Sequence, residues 1–212
     1  MIGIEIDRRL IEYLRHQKIP NLELICGDAL KIDFPKFDKI ISNLPYKISS
    51  PLTFKILTYY NNNKFLKAVL MYQKEFAERL VAQPYSKEYS RLTVAVYYRA
   101  KCEILELVPR TAFYPRPKVD SAIVLLIPHK KKPFEVINEN IFFNLVNAGF
   151  SQRRKQLRTV LLNNWELFST SRDRIKALSN KLDNVNRRIE ELAPDEIAEL
   201  SNQIANFINK LS

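Results

Sequence analysis

Four consecutive residues, Asn43, Leu44, Pro45 and Tyr46, combine groups suited to chemistry on an exocyclic amine. Such an amine on a purine is a poor nucleophile, because its lone pair is delocalised into the ring. It needs acceptors that hold both hydrogens and favour a pyramidal nitrogen. The Asn43 side-chain oxygen and the Leu44 carbonyl are two such acceptors, Pro45 fixes the turn and removes a competing donor, and Tyr46 offers a flat face for an unstacked base. An ordinary Asn-x-Pro-Tyr turn is the competing reading. Two acidic positions could serve a nucleoside. Glu5, followed by Ile6, ends an apolar run at 2–6, and a carboxylate at a strand tip accepts ribose hydroxyls. Asp28 follows another run in Cys26-Gly27-Asp28-Ala29, where its carboxylate can take an adenine amine while the Ala29 N–H reaches a ring nitrogen. Taken singly, Glu5 reads equally as an exposed acid near a turn, and Gly27-Asp28 as plain turn chemistry.

Positioning these groups requires strands that end just before them. Short β-rich runs at 2–6, 22–26, 39–42, 67–72, 103–108 and 122–127 alternate with helical patterns at 8–17, 52–60 and 73–82, which predicts βαβ units around a mostly parallel sheet. Ser49, Ser50 and Pro51 stand where a helix begins. Residues 91–100 fit a strand by propensity and a helix by spacing. After the Lys130-Lys131-Lys132-Pro133 cluster the pattern turns helical throughout, at 139–150, 155–168, 172–180 and 195–211. A domain boundary is therefore expected at 130/131, with an incomplete Rossmann-like α/β domain over 1–130 and a small all-α domain over 131–212.

Composition sets the outer limits. Three glycines in 212 residues exclude a glycine-rich phosphate loop within this chain. No run approaches the ~18 apolar residues needed to cross a bilayer, and Met1 is followed by Ile-Gly-Ile-Glu rather than a basic leader, so a cytoplasmic protein without a membrane partner is expected. Cys26 and Cys102 lie in apolar runs without metal spacing and are expected inside, with no metal site. The net charge of +11 suits a polyanionic partner, or simply solubility. Arg153, Arg154, Lys155 and Arg158 place four cations in six residues without an acid, either a phosphate-binding segment or a solvated helical face. Lys130, Lys131 and Lys132 read as a linker with incidental phosphate contact. Trp165, Phe142, Phe143 and Phe168 read as core.

With Glu5, Gly27-Asp28-Ala29 and residues 43–46 in this order, the chain resembles S-adenosylmethionine-dependent methyltransferases of exocyclic amines. Tyr89-Ser90-Arg91-Leu92, the run from Ala112 to Ala122, and the run from Phe150 to Arg158 narrow the resemblance to the KsgA-type rRNA adenine dimethyltransferases, and they follow in order across nearly the whole chain. The resemblance implies a Rossmann-like methyltransferase sheet with a helical C-terminal domain. It implies dimethylation of N6 on two adjacent adenosines in the 3′-terminal hairpin of small-subunit rRNA, with S-adenosylmethionine as methyl donor. The partner would be small-subunit rRNA or a pre-30S-like particle, met by a monomer that contributes to ribosome assembly. Carried over by residue, it makes Glu5, Ile6, Asp28, Ala29 and Asn43 cofactor contacts, residues 43–46 the amine grip, and Phe113 a ring on the opposite face of the target base. Arg116 and Lys118 flank Phe113 in a proline-braced loop suited to looped RNA. The family fold also makes 91–100 a helix. No general base is required, since the methylated amine is acidic enough to lose its proton to water, and positioning should dominate.

The sequence departs from that family at its start. Members open with a Gln-Asn-Phe-Leu-type segment, a first strand and a G-x-G-x-G loop; here the chain opens on Ile-Gly-Ile-Glu-Ile-Asp. Weak or absent cofactor binding by these 212 residues alone is therefore expected. A start-site error or fragment, a split gene, and a loss of catalysis that leaves an RNA-binding assembly factor are the three open origins. A 23S-type adenine methyltransferase is a further reading, which Leu44 and the 113–121 signature fit less well.

Overall fold

The computed structural model describes residues 1–62, 65–168 and 171–210. In chain order the elements are β1 (Ile2–Glu5), α1 (Arg8–His16), β2 (Glu23–Cys26), β3 (Lys39–Asn43), α2 (Ser49–Asn62), β4 (Lys67–Gln73) and α3 (Lys74–Leu80). They continue as α4 (Arg91–Arg99), β5 (Ala100–Val108), β6 (Ser121–Pro128), α5 (Glu139–Ser151), α6 (Leu157–Asn163), α7 (Arg172–Ser179) and α8 (Pro194–Asn209). Side-chain caps set several helix starts: Asp7 accepts the Arg9 N–H, Asn138 those of Asn140 and Ile141, and Ser171 that of Arg174. The expected residue Leu211 at the end of the last helix lies outside the described residues.

The strands form two sheets. β1 and β2 pair in parallel, and a second sheet has the order β3-β4-β6-β5, parallel at β3/β4 and antiparallel at the other two pairings. Period-two burial explains the second sheet. Ala68, Leu70 and Tyr72 of β4 and Ala122, Val124 and Leu126 of β6 turn the same face inward, onto Leu52, Ile56, Leu80, Leu92 and Val96. The sheet is divided where the family resemblance anticipates a central strand: β1 bonds only β2, and β3 bonds only β4. Ile41 of β3 is 85% exposed, although its sequence reads as a strand buried on both sides.

Helix α4 resolves the ambiguous segment. Leu92 and Val96 pack into the sheet core, while Val94 and Tyr98 enter a second core built from α5, α6, α7 and α8. A strand could not present side chains two ways at that spacing; a helix wedged between two cores does. The second core therefore draws Tyr89, Val94 and Tyr98 from ahead of the 130/131 position.

Two expectations are corrected. The single helix at 155–168 is instead α6 followed by a 3₁₀ turn at Trp165–Phe168, because the Asn164 amide folds back onto the Val160 carbonyl at 2.7 Å and ends the helix. Because α6 starts at Leu157, Lys155 also precedes the helix, with Arg153 and Arg154, in a turn closed by the Lys155 N–H on the Gln152 carbonyl at 2.8 Å. Cys26, expected inside, is exposed, because the two-stranded sheet leaves that end of β2 uncovered. Cys102 is largely buried, and burial pushes its thiol up to about 12, which keeps it protonated.

Candidate active site

β3 delivers residues 43–46 to the carboxyl edge of the sheet. The Leu44 N–H extends the ladder to the Met71 carbonyl at 3.3 Å, and its side chain is buried in the sheet core. The Pro45 carbonyl accepts the Ile48 N–H at 3.0 Å and starts the 3₁₀ turn that leads into α2. With Leu44 anchored on both counts, the Asn43 side chain is exposed, and neither its amide nor the Leu44 carbonyl has a hydrogen-bond partner among the described residues. The Tyr46 hydroxyl meets Ser121 Oγ at 3.0 Å, which tethers a partly exposed ring to β6.

Support for this corner comes from residues that sequence reasoning missed. Thr53 Oγ1 donates to the Ser49 carbonyl at 2.6 Å and accepts from the Tyr72 hydroxyl at 2.7 Å, all of it buried. Burial raises the Tyr72 phenol far above its ordinary value, so it remains a donor. This chain fixes the first turn of α2 against β4. No local motif marks it, because its members are 19 residues apart.

The connection at 109–120 rises from the same edge, since Val108 of β5 and Gln73 of β4 both pair with Ser121, the partner of Tyr46. Asp120 pins its base: Oδ1 accepts the Arg110 N–H at 2.9 Å and the carbonyl accepts the Lys74 N–H at 2.9 Å. Phe113 is half-buried there, and Arg116 and Lys118 are exposed with no ion pair among the described residues.

The cofactor candidates are only partly free. Glu5 Oε1 is turned back onto the N–H groups of Ile6 and Asp7 at 2.8 and 2.9 Å, so Oε2 alone is open to a ribose hydroxyl. Ile6 is exposed. Asp28 Oδ1 accepts the Leu30 N–H at 2.9 Å, while its other oxygen and the Ala29 N–H have no partner among the described residues. The donor and acceptor types fit the ribose and adenine edges of S-adenosylmethionine. A further residue holds this loop. Lys55 of α2 donates to the Ala29 carbonyl at 2.9 Å and to the Ile32 carbonyl, with its ammonium 4.5 Å from the centre of the Phe34 ring. One lysine thus ties the Asp28 loop to the helix that follows residues 43–46. A cavity of about 330 Å³ lined by Leu14, Arg15, Lys18, Ile19, Leu22 and Leu24 contains none of these residues.

The structure sorts the basic segment that the sequence could not. The Arg153 guanidinium pairs with Glu190 and donates to the Lys87 and Ser86 carbonyls at 2.8 and 2.7 Å, which makes it a clamp within the fold. Arg158 donates to Asn180 Oδ1 at 2.6 Å and is half-buried. Arg154 and Lys155 are exposed, without side-chain partners among the described residues. Lys132 is no incidental linker cation: it pairs with Glu139 and lies 4.5 Å from the centre of the Tyr98 ring. No helix among the described residues is long and apolar enough to cross a membrane.

Comparison with known proteins agrees with this architecture. A probable ribosomal RNA small subunit methyltransferase A of Methanosarcina acetivorans is 50% identical over 208 residues, covering 96% of this chain and 75% of the relative. Its namesake in Pyrococcus furiosus is 43% identical over 213 residues, covering 98% and 75%. Among solved structures, a dimethyladenosine transferase from Plasmodium falciparum superposes with a TM-score of 0.77 at 34% identity, over 99% of this chain and 82% of that one. The 23S rRNA methyltransferase ErmE gives 0.67 at 25% identity, over 96% and 81%. The profile of the ribosomal RNA adenine dimethylases matches residues 1–206, and the chain belongs to that family.

Proposed function

We propose that this chain dimethylates N6 of two adjacent adenosines in the 3′-terminal hairpin of small-subunit rRNA, acting as a cytoplasmic monomer on a pre-30S-like particle during ribosome assembly. The observation that carries the reading is the pair of unpartnered acceptors, Asn43 Oδ1 and the Leu44 carbonyl, beside the tethered ring of Tyr46. These two oxygens take the hydrogens of the target amine and hold its lone pair out of conjugation, while Pro45 keeps a competing N–H away. Tyr46 and Phe113 stack on the two faces of the extruded base, and Arg116, Lys118, Arg154, Lys155 and Arg158 attract phosphates. S-adenosylmethionine, when bound, supplies the electrophilic methyl. Glu5 Oε2 orients its ribose, and Asp28 with the Ala29 N–H reads its adenine. In this division of labour residues 1–130 hold amine, cofactor and the RNA next to the target base, and residues 131–212 add RNA contacts.

The small-subunit relatives support the choice of small-subunit rRNA over the 23S alternative, being more alike in sequence than ErmE. The test uses small ribosomal subunits lacking the dimethyladenosines, with labelled S-adenosylmethionine. Asn43→Ala is expected to lower methyl transfer by at least ~100-fold, as loss of a preorganised hydrogen-bonding group does, with cofactor affinity far less affected because Glu5, Asp28 and Ala29 carry most of that contact. A variant as active as the parent would refute the amine grip.

A further inference from the structure

The connection between α3 and α4 carries groups that neither the amine grip nor the cofactor contacts use. Tyr85 has φ 69°, in the left-handed region that disfavours residues other than Gly, Asn and Asp. Its ring is 71% exposed. Such a conformation persists only where neighbours impose it, and here they do. The Tyr85 N–H donates to the Glu190 carbonyl at 2.8 Å, and Ser86 Oγ donates to the Gln83 carbonyl at 2.7 Å. Arg153 grips the next two carbonyls, and Arg187 donates to the Tyr85 hydroxyl at 3.3 Å while paired with Glu196 at 2.7 Å. Two arginines, each neutralised by its own glutamate, thus hold one tyrosine ring out from the surface.

The ring gains little from folding, since most of it stays in water, and its backbone is strained. No other large apolar side chain of residues 81–90 is exposed, so the loop lacks the apolar patch that a protein partner would cover. The loop and the segment that clamps it carry charge instead. Lys87 is exposed with no carboxylate partner, and Arg154 and Lys155 immediately follow the arginine that holds the Lys87 carbonyl. Of the acids nearby, Glu190 is paired with Arg153 and Glu196 with Arg187, while Glu191, which accepts the Arg188 N–H at 3.2 Å, and half-buried Glu88 have no ion pair among the described residues. A projecting aromatic ring on a loop that carries Lys87, held by the arginine next in sequence to Arg154 and Lys155, suits an unpaired nucleotide, whose base stacks while its phosphates meet the cations.

We propose that Tyr85, with Lys87, Arg154 and Lys155, forms a second RNA contact: a stacking platform for one unpaired rRNA base, separate from the residues that grip the target amine. It rests on the rRNA reading given above. The test is binding of a transcript of the small-subunit rRNA 3′ end to the full chain, measured across salt concentrations. Tyr85→Asn relieves the left-handed strain, so its thermal midpoint is expected to equal or exceed that of the parent. Its RNA affinity is expected to fall about ten-fold, within the range for one stacked base. Its salt dependence should match the parent because no charge is lost. Tyr85→Phe should retain the affinity, and Lys87→Ala should flatten the salt dependence by about one counterion. If Tyr85→Asn binds like the parent, or Tyr85→Phe loses as much as Tyr85→Asn, the platform is overturned. If the parent itself fails to bind the transcript, the rRNA reading falls, and this proposal with it.

Discussion

Lys55 shows how one side chain can link two parts of a site. Its two hydrogen bonds to the Ala29 and Ile32 carbonyls are charge-assisted, so their loss frees a turn whose remaining ties are the Asp28 contacts to Leu30, Lys31 and Ile32. Lys55→Met keeps the stem on Phe34 and removes the charge. We expect it to weaken S-adenosylhomocysteine binding about ten-fold, the scale of one charge-assisted hydrogen bond, with RNA affinity unchanged and Lys55→Arg intermediate. Equal nucleoside affinity in Lys55→Met and parent would show that the loop holds itself. The Asn43 prediction belongs to this scale too, and the two substitutions separate the roles: one should largely spare cofactor binding and the other should impair it. The placement of residues 43–46 at the end of a strand was legible in the sequence because the signal resides in neighbouring residues. Lys55 was not, because its acceptors lie 26 and 23 residues away and a lysine on a helix looks like any other.

Among the elements, α5 packs closely on the 3₁₀ turn at Ile189–Glu191. A Cβ on Gly149 would lie 2.7 Å from Ile189 Cγ1 and 2.9 Å from its Cβ, and Ile189 is itself fully buried. Gly149→Ala is therefore expected to destabilise the fold by about 2 kcal/mol through overpacking, despite the better helix propensity of alanine. A denaturant midpoint at or above that of the parent would show that α5 can shift. The divided sheet has a consequence at the same scale. β1 and β3 each have one unbonded edge, whereas β4 and β6 are bonded on both sides. Amide exchange should be faster in β1–α1–β2 and on β3 than in β4 and β6; equal protection would contradict the division. Strand positions followed from period-two patterning, and the missing first strand already implied a break between β1 and β3; the antiparallel pairings of β6 with β4 and β5, in a sheet expected to be mostly parallel, are decided by contacts across the chain.

At the scale of the whole molecule, the two cores are joined through α4 and a polar seam. Tyr98 donates to Glu139 Oε1 at 3.0 Å, Lys132 pairs with the same carboxylate, and the Arg99 guanidinium lies 4.4 Å from the centre of the Phe143 ring. Burial alone would raise the Glu139 carboxyl, and the Lys132 and Tyr98 contacts outweigh it, holding it below its ordinary 4.5. Glu196 behaves likewise, with burial opposed by the Ala193 N–H and Arg187. A carboxyl whose pKa falls on folding contributes stability that is complete above its unfolded value and lost as pH drops through the folded one. The thermal midpoint should thus be insensitive to these groups from neutrality to about pH 5 and decline below it. Glu139→Gln should make that decline shallower; a variant that declines in parallel with the parent would remove Glu139 from the seam.

Local order sufficed for much of this. Residues 43–46, Gly27-Asp28-Ala29, the alternation of strands and helices, and the helical tail were all readable, because caps, turns and hydrophobic period act over a few residues. Packing decided the rest. Arg153 and Arg154 are chemically identical neighbours, yet one binds Glu190, Ser86 and Lys87, which lie 37, 67 and 66 residues away, while the other faces solvent. A cation becomes a clamp or a ligand for phosphate according to what the folded chain brings within hydrogen-bond reach, and that is a property of tertiary contacts.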